Sequence, residues 1–111
     1  MKISEMSQFM NLECIQSIYD DATVASAYTS DLLSDVMANA REHSVLITIQ
    51  AHKNTIAVAT LVEISAIIVC NNRPVPEDMV AAARTERICI YTTGDNQFTV
   101  SGRLYAALRT G

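Results

Sequence analysis

Two apolar runs separated by an Ala-rich segment dominate the middle of the chain. Residues 45–49 (VLITI) and residues 66–70 (AIIVC) are rich in β-branched and apolar side chains and show no regular alternation with polar ones. Such continuous runs are typical of parallel strands that are covered on both faces. The segment between them, residues 54–63, predicts a helix, so the three together predict a βαβ unit. The positions predicted to face the core from this helix are Ala57, Leu61 and Ile64.

The pattern continues toward the C-terminus with further helices and strands. Residues 71–74 (NNRP) predict a loop, because Asn favours left-handed or turn geometry and Pro cannot continue a strand ladder. Pro76 suits the first turn of a helix, and residues 88–92 form another β-branched run. A turn at residues 93–95 leads into a last helix. The predicted buried stripe of that helix is Val100, Leu104, Ala107 and Leu108. Right-handed crossovers would place the three strands as parallel neighbours.

The first half of the chain has a weaker pattern. An opening helix with Ser4 as N-cap is predicted to end near Asn11. Residues 12–18 and 23–28 have β-type character, but the pattern leaves their direction open. The predicted core positions of the opening helix are Ile3, Met6, Phe9 and Met10. The next helix is predicted from Leu33, Val36, Met37 and Ala40, with Asp31 or Ser30 as its cap.

Length and composition predict a single α/β domain over residues 1–111, with a mainly parallel sheet and helices on both faces. Half of the residues are apolar and 18% are charged, which is below the roughly 25% typical of soluble domains. Two interpretations stay open: the sheet is fully covered within one chain, or an apolar surface patch is buried in an oligomer.

Charge and cysteine usage exclude several classes of function. The net charge is −4 and the eight Lys and Arg residues are scattered singly, so no basic face for nucleic acid or an acidic membrane is expected. No run reaches the roughly 18 apolar residues of a membrane span, and a cytoplasmic location is predicted. Cys14, Cys70 and Cys89 form no C-x-x-C pair, and no disulfide framework, metal site or cofactor is expected. Cys70 is either a nucleophile or, like the other two, a small buried hydrophobe.

A candidate ligand site follows from the predicted parallel sheet. Ligands of open parallel sheets bind beyond the carboxyl ends of the strands, and polar residues follow the strands there. The candidate ligand-binding residues are His52, Lys53, Asn54, Asn71, Asn72, Arg73, Thr92 and Thr93. His52 and Lys53 could supply an acid, a base or an anion clamp, or form a solvated loop pair. The Asn pair could bind a ligand or form only a turn, and Arg73 could bind phosphate or a surface carboxylate.

Several well-defined motifs are missing. The sequence contains no G-x-x-x-x-G-K-[ST], G-x-G-x-x-G, G-x-S-x-G or H-E-x-x-H. No catalytic residues are therefore assigned from sequence.

The order of these strands and loops resembles the DRTGG domain over nearly the whole chain. The segments that carry the resemblance are residues 28–37, 46–54, 66–76 and 88–93, with Phe98. This module occurs on the N-terminal side of HPr kinase/phosphorylases and beside CBS domains in certain pyrophosphatases. The chain is especially similar to the small stand-alone DRTGG proteins that anaerobes encode near iron-only hydrogenase genes. It departs from the family in two places: His52-Lys53 stands where the family has Asp-Arg, and Cys70-Asn71-Asn72 stands where it has Thr-Gly-Gly.

The resemblance implies a non-catalytic regulatory or assembly module. The expected partners are a second copy in a homodimer, a small anionic or nucleotide effector, and a redox-enzyme protein. Two alternatives stay open. One is a small enzyme acting on phosphorylated substrates, with His52 as acid/base and Lys53 and Arg73 holding the phosphate. The other is an iron–sulfur or hydrogenase accessory protein that uses cysteines of two subunits.

Overall fold

Five strands and the helices between them follow one another over residues 1–110, which the computed structural model describes. Gly111, the last residue of the predicted domain, lies outside the described residues. The elements in chain order are an opening 3-10 helix (Ile3–Gln8), β1 (Glu13–Gln16), β2 (Ser26–Thr29), α1 (Leu33–Asn39), β3 (Ser44–Thr48), α2 (Lys53–Leu61), β4 (Ala66–Val69), α3 (Glu77–Glu86), β5 (Cys89–Thr92) and α4 (Gln97–Thr110).

The sheet has the strand order β1-β5-β4-β3-β2. Strands β2, β3, β4 and β5 are parallel, and β1 pairs antiparallel with β5 at one edge. The predicted parallel stack of β3, β4 and β5 is therefore confirmed. The direction of the two early strands, which the pattern left open, is set by their sheet partners.

Both faces of the sheet are covered, which explains the continuous apolar runs. Every residue of β3 and of β4 is buried. Alternate side chains enter two separate cores. Val45 and Ile68 pack with the opening helix and α4, whereas Leu46 and Ile67 pack with α1, α2 and α3. A polar side chain on either face of these strands would therefore be buried, and this is why the period-two alternation is missing.

The predicted buried face of α2 is wrong in two of its three positions. Ala57 is exposed and the side chain of Leu61 is 72% exposed, although Ile64, just beyond the helix, is buried. The residues that α2 buries are Thr55, Ile56, Val58 and Ala59. Apolar residues occur around most of this short helix, so their spacing does not define one face. Burying the larger Ile56 and Val58 removes more apolar surface from water than burying Ala57.

The predicted caps of the first two helices are also wrong. The opening helix ends at Gln8, and Phe9, which was predicted to be buried, is half exposed. Lys2 is the N-cap, so Ser4 lies inside the helix, and its backbone N–H donates to the Asp21 carboxylate at 3.0 Å. Helix α1 has Leu32 at its N-cap, without a side-chain cap, and its Met37 is 51% exposed.

The C-terminal helices agree with the pattern. Pro76 precedes α3 directly, and Arg87 ends the helix in the left-handed conformation with φ 57°. Val100, Leu104 and Ala107 of α4 are buried, and Leu108 packs against the same core. These helices cover the sheet and leave its carboxyl edge to the loops.

Candidate functional site

The carboxyl ends of β2, β3, β4 and β5 lie at one edge of the sheet because these strands are parallel. The candidate residues predicted from the sequence follow β3, β4 and β5 at this edge. The loop after β2 also begins at this edge, and no ligand-binding residue was predicted in that loop.

His52 is the N-cap of α2. Its Nδ1 accepts a hydrogen bond from the backbone N–H of Asn54 at 3.0 Å. His52, Lys53 and Asn54 are all exposed. The imidazole thus caps the helix with one of its two nitrogens. The backbone N–H of Thr55 donates to the His52 carbonyl at 2.9 Å, so His52 accepts from two N–H groups of the first turn of α2.

Asn71 and Asn72 adopt the left-handed conformation, with φ of 61° and 52°, as the turn interpretation predicted. The backbone N–H of Asn71 donates to the carbonyl of Asp95 at 3.0 Å, and that of Asn72 donates to the carbonyl of Thr93 at 2.9 Å. The loop after β4 is therefore fixed to the loop after β5. Arg73 follows the turn and is exposed.

Gly94 leaves space for the Asn72 side chain. A Cβ atom at position 94 would lie 3.1 Å from the Asn72 amide nitrogen, which is tighter than ordinary packing. A cavity of about 210 Å³ opens beside these two residues. Its lining joins both halves of the chain and consists of Asn11, Leu12, Glu13, Asn72, Thr92, Thr93 and Gly94. Three of the candidate residues therefore share one cavity.

Asp31 joins several segments at the middle of the same edge through hydrogen bonds. Its Oδ1 accepts hydrogen bonds from the Thr48 hydroxyl at 2.9 Å and from the Ile49 backbone N–H at 2.8 Å. The Gln97 side-chain amide donates to the same oxygen at 3.0 Å, and the Gln50 amide donates to the Asp31 carbonyl at 3.1 Å. Asp31 was predicted to cap α1, but it links the loop after β2 to the end of β3 and to the start of α4.

Two large apolar side chains lie next to this network. Leu32 follows Asp31 and is 64% exposed, and Phe98 follows Gln97 and is 86% exposed. Because Asp31 and Gln97 are joined by a hydrogen bond, these apolar neighbours belong to the same part of the edge. Exposed aromatic side chains of this kind suit stacking or protein contact.

Cys70 lies at the end of β4 and is fully buried. Burial, and after it the carboxylates of Asp31 and Asp95, raise the pKa of its thiol to about 11. A thiol with a raised pKa carries little of the reactive thiolate near neutral pH. The structure therefore favours the interpretation of Cys70 as a small buried hydrophobe over a nucleophile.

Neither a metal-binding cluster nor a membrane-spanning helix is found among the described residues. Within residues 1–110, no group of three or more His, Cys, Asp or Glu side chains is placed to hold a metal ion. None of the helices in this range combines the length and the apolar character that a membrane crossing needs.

Comparisons with known proteins agree with the fold. No protein-family model matches the sequence, and a search of curated proteins finds no match. The chain is similar to the crystal structure of the CBS and DRTGG domains of the regulatory region of Clostridium perfringens pyrophosphatase, complexed with its activator diadenosine tetraphosphate. The TM-score is 0.72 and the sequence identity is 13%. The match covers 91% of this chain and 44% of that one.

This likeness confirms the predicted fold class. The described residues form an α/β domain with a five-stranded, mostly parallel sheet, of the kind found in that regulatory region. It also supports the interpretation of the chain as a DRTGG-like domain. At 13% identity, the likeness concerns the fold and not the site residues.

Proposed function

We propose that this chain is a non-catalytic regulatory module of the DRTGG type that binds a nucleotide or another small anionic effector at the carboxyl edge of its sheet. The observation that carries the proposal is the likeness to a regulatory region complexed with diadenosine tetraphosphate. In this proposal the module also self-associates, acts in the cytoplasm, shares ancestry with the N-terminal domain of HPr kinase/phosphorylase and contacts a redox-enzyme partner.

The chemistry of the edge supports an anionic ligand with an aromatic part. Lys53, the first residue of α2, and Arg73, in the loop after β4, are exposed cations, and the start of α2 adds the positive end of a helix dipole. The cavity beside Asn72 offers amide and hydroxyl groups of Asn72, Thr92 and Thr93. Phe98 offers an exposed ring on which a base could stack.

A thermal-shift experiment tests effector binding. Diadenosine tetraphosphate, ATP, AMP and inorganic phosphate are the probes. A probe at 100 times its dissociation constant should stabilise the folded state by about 2.7 kcal/mol and raise Tm by several degrees. Arg73→Ala should reduce the shift, whereas Arg84→Ala, an exposed Arg of α3, should leave it unchanged. No shift with any of the four probes would contradict effector binding by nucleotides or phosphate.

The α2–α3 groove is the proposed surface for self-association. This groove of about 520 Å³ is lined by Lys53, Asn54, Ile56, Ala57, Thr60, Leu61, Ala82, Thr85 and Glu86. Ala57 and Leu61 are two of the residues whose burial the sequence predicted and a single chain leaves exposed. A second copy docked on the groove would bury them, because exposed apolar surface of this kind is typical of interfaces.

Light scattering tests the self-association. At tens of micromolar the parent protein should have the mass of a dimer, and Leu61→Asp should be a monomer. Tyr105→Asp is the matched control, because Tyr105 is 63% exposed on α4, which packs on the other face of the sheet. The proposed dimer would be wrong if the parent were monomeric or if both variants kept the parent's mass.

The enzyme alternative can be tested at the same edge. If the chain hydrolysed a phosphate ester with His52 as acid/base, His52→Ala should abolish turnover, and Lys53→Ala should raise KM. The capping bond of His52 gives that residue a role that needs no catalysis. Absence of turnover by the parent would rule out this alternative.

The iron–sulfur alternative is tested by anaerobic reconstitution with iron and sulfide. Absence of visible charge-transfer absorption after reconstitution would rule it out.

A further inference from the structure

Cys14 and Cys89 lie side by side on neighbouring strands. Their Sγ atoms are 3.9 Å apart. The Cα of Cys14 in β1 is opposite that of Tyr91 in β5, and the register shifts between Cys14 and Gln16. Cys89 is two residues before Tyr91, so the two cysteines project from the same face of the sheet. The third thiol, Cys70, lies at the end of β4. Among residues 1–110, no hydrogen bond joins it to another cysteine.

The two thiols differ in access to solvent. Cys14 is exposed, whereas Cys89 is fully buried. Burial, followed by the proximity of Cys14, raises the pKa of the Cys89 thiol. An external oxidant therefore reaches Cys14 first. The raised pKa keeps Cys89 mostly protonated near neutral pH, so its reaction with Cys14 is slow and depends on the 3.9 Å separation of the two Sγ atoms.

We propose that Cys14 and Cys89 are an intrachain disulfide-forming pair, oxidised by a low-molecular-weight disulfide such as oxidised glutathione. In the first step the Cys14 thiolate attacks one sulfur of oxidised glutathione. The S–S bond of glutathione breaks, one glutathione thiolate leaves and takes up the Cys14 proton, and a mixed disulfide forms at Cys14. Cys89 then loses its proton and attacks the Cys14 sulfur, and the second glutathione leaves as a thiol. The protein loses two electrons and two protons, and oxidised glutathione gains them.

The proposed Cys14–Cys89 disulfide would lie next to the 210 Å³ cavity of the candidate site. A disulfide needs the two sulfurs to approach to about 2.05 Å, so β1 and β5 must adjust around the register shift. Glu13, which precedes Cys14, lines the 210 Å³ cavity together with Thr92 at the end of β5. The pair therefore ties the antiparallel edge strand to the sheet next to that cavity, whether or not the cavity binds an effector.

Oxidation followed by mass spectrometry tests this proposal. The parent protein at low micromolar concentration is incubated with excess oxidised glutathione and quenched with acid. We expect one remaining free thiol of three, a mass lower by two hydrogens, and a peptide pair linked through Cys14 and Cys89. Cys70→Ala, which keeps both members of the pair, should form the same disulfide and leave no free thiol.

Two variants separate the steps. Cys89→Ala should stop at the Cys14–glutathione mixed disulfide, and Cys14→Ser should keep both of its thiols free. Because Cys14 is exposed, the Cys14→Ser variant should fold normally even if a change at buried Cys89 perturbs the core. A parent protein that ends as the mixed disulfide, as a disulfide between two chains, or with three free thiols would overturn the proposal.

Discussion

Asp31 joins three parts of the chain through one carboxylate oxygen, which accepts hydrogen bonds from Thr48, Ile49 and Gln97. Hydrogen bonds to an ionised acceptor are stronger than neutral ones. The Thr48 side chain is fully buried and its hydroxyl donates to Asp31. A single residue thus holds together the loops at the edge where the effector is proposed to bind.

Replacement of Asp31 should destabilise the fold. Asp31→Ala leaves the Thr48 hydroxyl proton and the Ile49 N–H without their acceptor, so the free energy of unfolding should fall by about 1–3 kcal/mol. Urea denaturation measures this change. Asp78→Ala, at an exposed position in the first turn of α3, is the control and should cost well under half as much. Equal losses in the two variants would contradict the linking role of Asp31.

Buried thiols and phenols should make the protein sensitive to alkali. The pKa of Cys70 is raised from 9.0 to about 11, so the unfolded chain ionises this thiol at lower pH than the folded protein does. Its contribution to stability is complete below pH about 9 and is lost as the pH rises toward 11. A shift of this size corresponds to about 2–3 kcal/mol. Burial also raises the pKa values of Cys89 and Tyr91, which add to the loss at still higher pH.

The contribution of Cys70 can be isolated by substitution. Urea denaturation at pH 7 and at pH 10.5 should show a smaller loss of stability for Cys70→Ala than for the parent. The comparison uses the difference between the two pH values, so a cavity cost common to both cancels. Identical losses in parent and variant would show that Cys70 does not titrate differently in the two states.

At the scale of elements, strands buried on both faces could be predicted, and elements fixed by their partners could not. Neither β3 nor β4 has a polar face, so the sequence of each run predicts a parallel strand that is buried on both faces. Strand β2, with the sequence SAYT, acquires its direction only by pairing with β3. Without that direction the sequence could not place Asp31 at the carboxyl edge, and its position before α1 suggested a helix cap instead. The face of α2 was missed because packing against α3 and the sheet, and not spacing, selects it.

The loop after β4 should depend on residues that tolerate left-handed geometry. Asn71 has φ 61° and an exposed side chain. A left-handed conformation costs an ordinary L-residue about 1–2 kcal/mol, whereas Gly adopts it freely and Asn pays less. Asn71→Ala should therefore lower the free energy of unfolding by about 1 kcal/mol, and Asn71→Gly should leave it nearly unchanged. Chemical denaturation that ranks Gly below Ala at this position would contradict the assigned geometry.

At the scale of the whole molecule, the α2–α3 groove has a charge pattern that suits a two-fold axis. Helices α2 and α3 both run back from parallel strands, so they point in the same direction along the sheet. Lys53 begins α2, and Glu86 ends α3, at the opposite end of the groove. A two-fold axis that lies in the interface plane, perpendicular to the line from Lys53 to Glu86, would place Lys53 of each copy against Glu86 of the other.

A charge exchange tests this orientation. Lys53→Glu should weaken the proposed dimer, because the new carboxylate would face Glu86 of the second copy. Glu86→Lys should weaken it by placing two cations together. The double variant restores opposite charges, so its dissociation constant should return toward that of the parent. Surface ion pairs contribute about 0.2–1 kcal/mol each, so the loss of two symmetric pairs should raise the dissociation constant by about two- to thirtyfold. Sedimentation at low salt and at 0.5 M salt measures the effect, which salt should reduce.

A double variant that dimerises more weakly than either single variant would exclude this arrangement. The Leu61→Asp variant would then decide whether the groove is the interface at all.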